Sequence, residues 1–250
     1  MKFPMIRGLI RRRILVNFRV KPEVIQSLLP DPFKPKLFKG WAIAGICLIR
    51  LEQIRPTWVP APIGLASENA AHRIAVCWQD QEGQPQEGVY IPRRDSDAFI
   101  NSLLGGRLFP GEHHRAAFDV HDDGRAVELH AHALDNSFSV DVRGQLADSL
   151  PPTSLFSSLE EASDFFKYGS LGYSDTAAGT HLDGVVLATK NWEVKPFIVE
   201  IAQSSYFTDL AKFPKGSVEF DCALIMRNIE HEWRAAPEMQ TKQLAHASKA

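Results

Sequence analysis

The stretch RAAFDVHDDGRAVELHAHALDNSFSVDV, Arg115 to Val142, decides the fold class. Ala116, Phe118 and Val120 occupy alternate positions, Asp122-Asp123-Gly124 is turn chemistry, and Val127, Leu129 and Ala131 resume the alternation. After a second polar break, Phe138, Val140 and Val142 repeat it. Successive side chains of a strand point to opposite faces. A period of two broken by turn residues therefore predicts an antiparallel meander with one apolar and one polar face.

Working outward, Glu68 to Trp78 reads as a strand, Gln79 to Gln86 as a hairpin connection and Val89 to Ile91 as the return strand. The run Trp41 to Ile49 is apolar on both alternations, which predicts a strand covered on both faces. Arg13 to Val20 is a further strand, followed by a helix opened by Pro22 and Glu23 and ended by Pro30 and Pro32. Asp95 or Ser96 is expected to cap a short helix carrying Phe99, Ile100, Leu103 and Leu104, stopped by Gly105-Gly106. Ser157 and Glu160 form a capping box for a helix with Leu159, Ala162, Phe165 and Phe166 as its buried stripe. Val185 to Leu187, Trp192 to Ile201 and Val218 to Ile229 supply more strands, and the polar tail after Trp233 is expected to fray. The expected fold is α+β: a curved, largely antiparallel β-sheet, closed or half-closed, with a few short helices at the rim. One domain is expected over 1–250, with a core at about 11–233 and a polar tail at 234–250.

With 250 residues, 44% hydrophobic and 23% charged, the chain can bury a core without staples. A formal net charge of −2 gives no global attraction to nucleic acid or anionic membranes. Cys47, Cys77 and Cys222 form no CxxC pair and read as buried small hydrophobes in a reducing cytoplasm. The basic start, Met1 to Arg13, leads into Ile14 to Val20, interrupted by Asn17 and Arg19, so no cleavable signal is expected. The longest apolar run, Trp41 to Ile49, is about half a membrane span. A soluble, cytoplasmic protein is expected.

Two stretches carry a resemblance. One is Ser67-Glu68-Asn69-Ala70-Ala71-His72-Arg73. The other is Gly88-Val89-Tyr90-Ile91-Pro92-Arg93-Arg94-Asp95, followed by Gly105-Gly106-Arg107-Leu108-Phe109-Pro110-Gly111-Glu112-His113-His114. With Arg13-Ile14-Leu15-Val16 and Ser204-Ser205-Tyr206-Phe207, they resemble an uncharacterised bacterial family, a domain of unknown function grouped with the acetoacetate decarboxylase-like proteins. The likeness runs from about Arg11 to Trp233. In the decarboxylase, a glutamate strand and a Gly-Arg-Glu turn precede a Phe-Pro and then two lysines; one lysine forms a Schiff base and its neighbour depresses its pKa. Glu68 resembles the strand glutamate and Gly106-Arg107 the turn, but Leu108 replaces the second glutamate. Gly111, Glu112, His113 and His114 follow Phe109-Pro110, and no lysine lies between Lys39 and Lys167. The resemblance thus implies the fold and its pocket without Schiff-base lysine chemistry.

Glu68 and His72 share a strand face and Arg73 points the other way. Glu68 is a general base or polar anchor inside the pocket, one half of a structural ion pair with a cation on a neighbouring strand, or a residue of a solvated edge. Arg94 and Arg107 either hold a substrate carboxylate in a bidentate fork or brace loops. His113 or His114 could move a proton near neutral pH, though adjacent strand residues send at most one into a given pocket. His130 with His132, and Asp119 with His121, have spacings that could hold a metal, but they lie on the polar side of the meander, and no metal or cofactor is expected. No phosphate loop or nucleophile elbow appears. The expected function is binding, and potentially turnover, of a small acidic or carbonyl-bearing molecule in the barrel interior. The alternatives are a non-catalytic ligand-binding or sensing barrel and an interaction protein with a filled interior. The expected partner is a small molecule, not nucleic acid or membrane, and self-association is compatible with the sequence.

Overall fold

The computed structural model describes residues 5–60, 63–98, 113–167, 169–176 and 181–240. In chain order the elements are β1 (Ile6–Val20), α1 (Pro22–Leu28), β2 (Lys34–Pro35), β3 (Leu37–Phe38), β4 (Trp41–Pro56), β5 (Leu65–Gln79), β6 (Pro85–Ser96), β7 (His113–Asp122) and β8 (Ala126–Ala133). They continue with β9 (Ser139–Leu146), α2 (Leu159–Lys167), β10 (Leu171–Asp175), β11 (His181–Thr189), β12 (Lys195–Ser204), α3 (Ser205–Thr208) and β13 (Val218–Gln240).

The long strands β13, β1, β4, β5 and β6 hydrogen-bond in that order, antiparallel throughout, and form a wall. Both edges of the wall fork. β6 pairs with β10 through Val89 and Tyr90 and with β7 through Arg94 to Ser96, both times in parallel. β13 pairs with β12 through Ala223 to Ile225 and with β11 from His231 to Gln240. The thirteen-stranded sheet therefore returns on itself twice, through β10–β11 and through β7–β8–β9–β12. The expected curved, mostly antiparallel sheet is present; it is ring-like and mixed, the parallel pairings being those that β6 makes.

Alternation along the wall explains why it needs two covers. On β4, Ala42, Ala44, Ile46 and Leu48 face a core shared with Val127, Leu129, Val140 and Val142 of the meander. The intervening Ile43 and Cys47 face a second core shared with Phe156, and with Ala162 and Phe166 of α2. Each fully buried aliphatic side chain contributes about 1.5–3 kcal/mol, so neither face could be left to solvent.

Several elements differ from expectation. β1 begins at Ile6 rather than at Arg13: Ile6 and Ile10 are fully buried, a pattern that the intervening arginines mask in the sequence. The chain after Trp233 does not fray at once, because β13 runs to Gln240 and its backbone is held by β11. The helix cap of α2 falls one residue later than predicted: Ser158 Oγ accepts from the Glu161 N–H at 3.1 Å, and the Glu161 carboxylate accepts from the Ser157 N–H at 2.6 Å. Asp95 and Ser96 end β6 instead of opening a helix, and the remainder of that predicted helix lies outside the described residues.

Candidate functional site

On the α2 side of the wall, side chains of β1, β4, β5, β6, β11 and β13 surround a cavity of about 110 Å³. Among the described residues, three arginines line it: Arg13 from β1, Arg73 from β5 and Arg94 from β6. Alternation puts Arg73 there, between Ala71 and Ala75, which line the same cavity. Arg73 is 5% exposed; its Nη2 donates to the side-chain oxygen of buried Asn17, and its guanidinium lies 4.9 Å from the ring centre of Phe166. Arg94 Nε donates to Ser174 Oγ at 3.1 Å. Arg13 Nε donates to Cys47 Sγ at 3.0 Å. Among the described residues, none of the three has a carboxylate within 4.0 Å, and Arg73 Nε and Arg94 Nη2 are buried without a hydrogen-bond acceptor. Burial pulls Arg73 and Arg94 down to about 10, which leaves both charged at neutral pH.

The most exposed lining residues, Glu87 and Ser170, mark the mouth. Lys36 lines the same mouth, ion-paired with Glu87 and 4.6 Å from the Phe165 ring centre.

The opposite face of β5 carries a different kind of site. Arg12, only 2% exposed, donates from Nη2 to Glu68 Oε2 at 2.7 Å and from Nη1 to Asp122 Oδ2 at 3.2 Å. Arg227 grips Asp122 through two 2.8 Å bonds. Burial pushes the Glu68 carboxyl up, against the pull of Arg12. Burial also opposes charge on Asp122, but Arg227, the Gly124 N–H and Arg12 outweigh it and set that carboxyl to about 2. His72, fully buried, holds its Nε2 2.9 Å from Ser204 Oγ among the rings of Phe138, Tyr206 and Phe207. Burial, with Arg93 and Lys212 nearby, lowers it to about 3, so it is neutral at physiological pH.

Residues 9–217 match the model of the DUF2071 family, described as an uncharacterized conserved protein. The chain belongs to this family. No curated protein matches it. Its fold is that of the acetoacetate decarboxylase-like proteins. The acetoacetate decarboxylase of Legionella pneumophila is 13% identical, with a TM-score of 0.57 over 94% of this chain and 88% of that one. An acetoacetate decarboxylase-like enzyme from Sphingomonas wittichii RW1 is 15% identical, with a TM-score of 0.55 over 96% and 93%. The enduracididine biosynthesis enzyme MppR, solved with pyruvate, is 10% identical, with a TM-score of 0.55 over 96% and 91%.

Of the site residues expected from this DUF2071 sequence, Arg94 lines the arginine cavity. Glu68 does not; its ion pair with Arg12 is the structural alternative weighed above. His113 and His114 open β7 opposite Arg94 and Asp95, and His114 lines a separate cleft of about 470 Å³ with Arg93, Tyr206 and Lys212. Arg107, with Phe109-Pro110-Gly111-Glu112, lies outside the described residues. Arg13, Arg73 and Cys47 were missed. The available signal was an arginine inside the largely apolar run Ala70 to Val76, with Ala71 and Ala75 beside it on its own face. His130 and His132 are exposed, as the polar side of the meander requires. Among the described residues, one cluster has ligand atoms close enough to share a cation: His181 and Asp183 of β11 with Glu238 of β13, all within 4.8 Å. It is partly exposed and far apart in sequence. Among the described residues, no helix is long and apolar enough to cross a membrane.

Proposed function

We propose that the arginine cavity binds a small organic anion, a carboxylate carrying a carbonyl group, without forming a Schiff base. The observation that carries this reading is the convergence of Arg13, Arg73 and Arg94 on one cavity with no carboxylate partner among the described residues. A buried charge without a partner is costly, and an anionic ligand relieves that cost. Guanidinium forks match carboxylates in two-point geometry. The volume of about 110 Å³ suits several waters or one acid of a few carbons. The pyruvate complex of MppR is in keeping with such a ligand, although it speaks for that protein. Lys36, the lysine of the lining, is engaged by Glu87, and imine formation needs a free amine. A non-catalytic ligand-binding role uses the same cavity. The three free cysteines fit a reducing, cytoplasmic setting.

Calorimetric titration with pyruvate, acetoacetate and the uncharged amide of pyruvate tests the reading. The acids are expected to bind and the amide to fail, with Arg73→Met and Arg94→Met each abolishing the difference. Acids that bind no better than the amide would sink it.

A further inference from the structure

Cys47 lies on β4 in the lining of the arginine cavity, 3% exposed. Its sulfur accepts the Arg13 Nε–H at 3.0 Å, and it lies close enough to Arg73 and Arg94 to act on both electrostatically. The other two cysteines have different settings. Cys222 is fully buried in the second apolar core, and burial pushes its thiol up to about 12. Cys77 sits beside Pro35, whose backbone oxygen is 4.0 Å from its sulfur. Neither lines the arginine cavity. Cys47 is therefore the thiol that shares a space with two buried guanidinium nitrogens that lack an acceptor, Arg73 Nε and Arg94 Nη2. Those groups point to an anion. The sulfur points to what else the anion carries.

We propose that Cys47 adds reversibly to the keto carbon of a bound 2-oxo acid whose carboxylate Arg73 and Arg94 hold. This rests on the anion reading of the cavity. A carbon–sulfur bond forms while the carbonyl π pair moves onto oxygen. The thiol proton ends on that oxygen, giving a hemithioketal. Nothing is oxidised or reduced and no group leaves. Arg13, already bonded to the sulfur, is the donor placed to steady the charge developing on the oxygen. The strand wall supplies this geometry: Leu15↔Cys47 and Cys47↔Ala71 are register partners, so β1 and β5 bring Arg13 and Arg73 alongside the sulfur from either side.

The experiment is carbon-13 NMR of the intact protein with pyruvate labelled at its keto carbon, for wild type, Cys47→Ala, Cys47→Ser and Cys222→Ala. Calorimetry with the same ligand runs in parallel. A new tetrahedral-carbon resonance is expected in wild type and Cys222→Ala and is expected to vanish in both Cys47 variants, which still bind pyruvate. The wild-type thiol provides a readout that needs no variant. Iodoacetate, drawn by the arginines, should modify Cys47 about tenfold faster than neutral iodoacetamide does, and pyruvate should slow it. If wild type binds pyruvate but shows no tetrahedral carbon, or shows one that persists without Cys47, the thiol proposal is overturned and the anion reading stands. If wild type binds no pyruvate, the anion reading falls and takes this proposal with it.

Discussion

Arg73 enters the cavity with its guanidinium tied to the side-chain oxygen of Asn17, a residue with no solvent exposure. The Asn17 amide in turn donates to the Leu15 carbonyl at 3.2 Å. A neutral amide fixes the direction of a cation without cancelling its charge. An aspartate in the same place would do both, and the cavity would lose its appetite for anions.

Asn17→Asp is accordingly expected to weaken pyruvate binding by giving Arg73 a carboxylate partner, while losing the bond that the amide donates to the Leu15 carbonyl. Arg73→Met should weaken binding about ten- to hundredfold, the value of one charge-assisted hydrogen bond. Its effect on stability is the balance between removing a buried cation that lacks a carboxylate and leaving the Asn17 oxygen without its donor. Calorimetry and thermal unfolding read both effects. A variant that melts early yet binds normally would make Arg73 a structural residue.

Gly45 faces Asn17 across the β1–β4 pair, and a Cβ there would collide with the Val16 backbone oxygen. Backbone cannot step aside as a flexible side chain can. Gly45→Ala should cost about 1–3 kcal/mol, seen as a fall of several degrees in Tm. An unchanged Tm would mean that the two strands separate more readily than their register implies.

Acid should act first on the opposite face of the wall. The Asp122 carboxyl has a folded pKa lowered to about 2, so its stabilisation is present above its unfolded value of about 4 and is lost as pH falls through 2. The shift corresponds to about 2 kcal/mol. Asp122→Asn should be less stable than wild type by that order at pH 7, and the two should converge near pH 2. A difference that stays constant over this range would remove Asp122 as the titrating group.

His72 titrates in the same direction for another reason. Its folded pKa of about 3 lies below the unfolded value of about 6.5, so the unfolded chain takes up a proton that the folded one refuses. Stability should fall as pH drops from about 6.5 toward 3. His72→Phe, which keeps a ring among Phe138, Tyr206 and Phe207, should flatten that slope in denaturant melts. An identical slope in the variant would place the acid sensitivity elsewhere.

Incubation with acetoacetate and borohydride, followed by intact mass, is expected to leave no adduct. Lys36 is the place to look for an exception, since it lines the cavity mouth, and Glu87→Gln would free its amine. An adduct on wild-type Lys36 would restore imine chemistry to this cavity.

The meander from Arg115 to Val142 was legible because each of its strands has one wet face: Ala116, Leu129, Ala131 and Val142 are buried while Asp119, His130, His132 and Asp141 are not. The double cover of Trp41 to Ile49 was legible for the complementary reason, the absence of any polar alternation. The cavity was not. Its members come from strands that meet only through register, and a sequence window cannot show that Arg13, Cys47 and Arg73 converge. Arg94 was picked out as a guanidinium able to hold a carboxylate, and Glu68 by resemblance to a glutamate strand. What could not be read for Glu68 was the partner: Arg12 is 56 residues away. The N-terminal strand was hidden by its own charges, since Arg7 and Arg11 each directly follow a fully buried isoleucine.

Because β5 presents Arg73 to one enclosed space and its immediate neighbours His72 and Ile74 to the other, the wall tolerates no slippage. A single inserted or deleted residue would drive the guanidinium into the aromatic core and an isoleucine among the arginines, exchanging the contents of two compartments at once. Length changes should therefore be absent from the middle of β1, β4 and β5 in any relative that keeps this chemistry. They should collect in connections such as the Asp80–Gln84 hairpin, where an added residue alters nothing but the turn. The strand register is a more demanding inheritance than the identity of most side chains it carries.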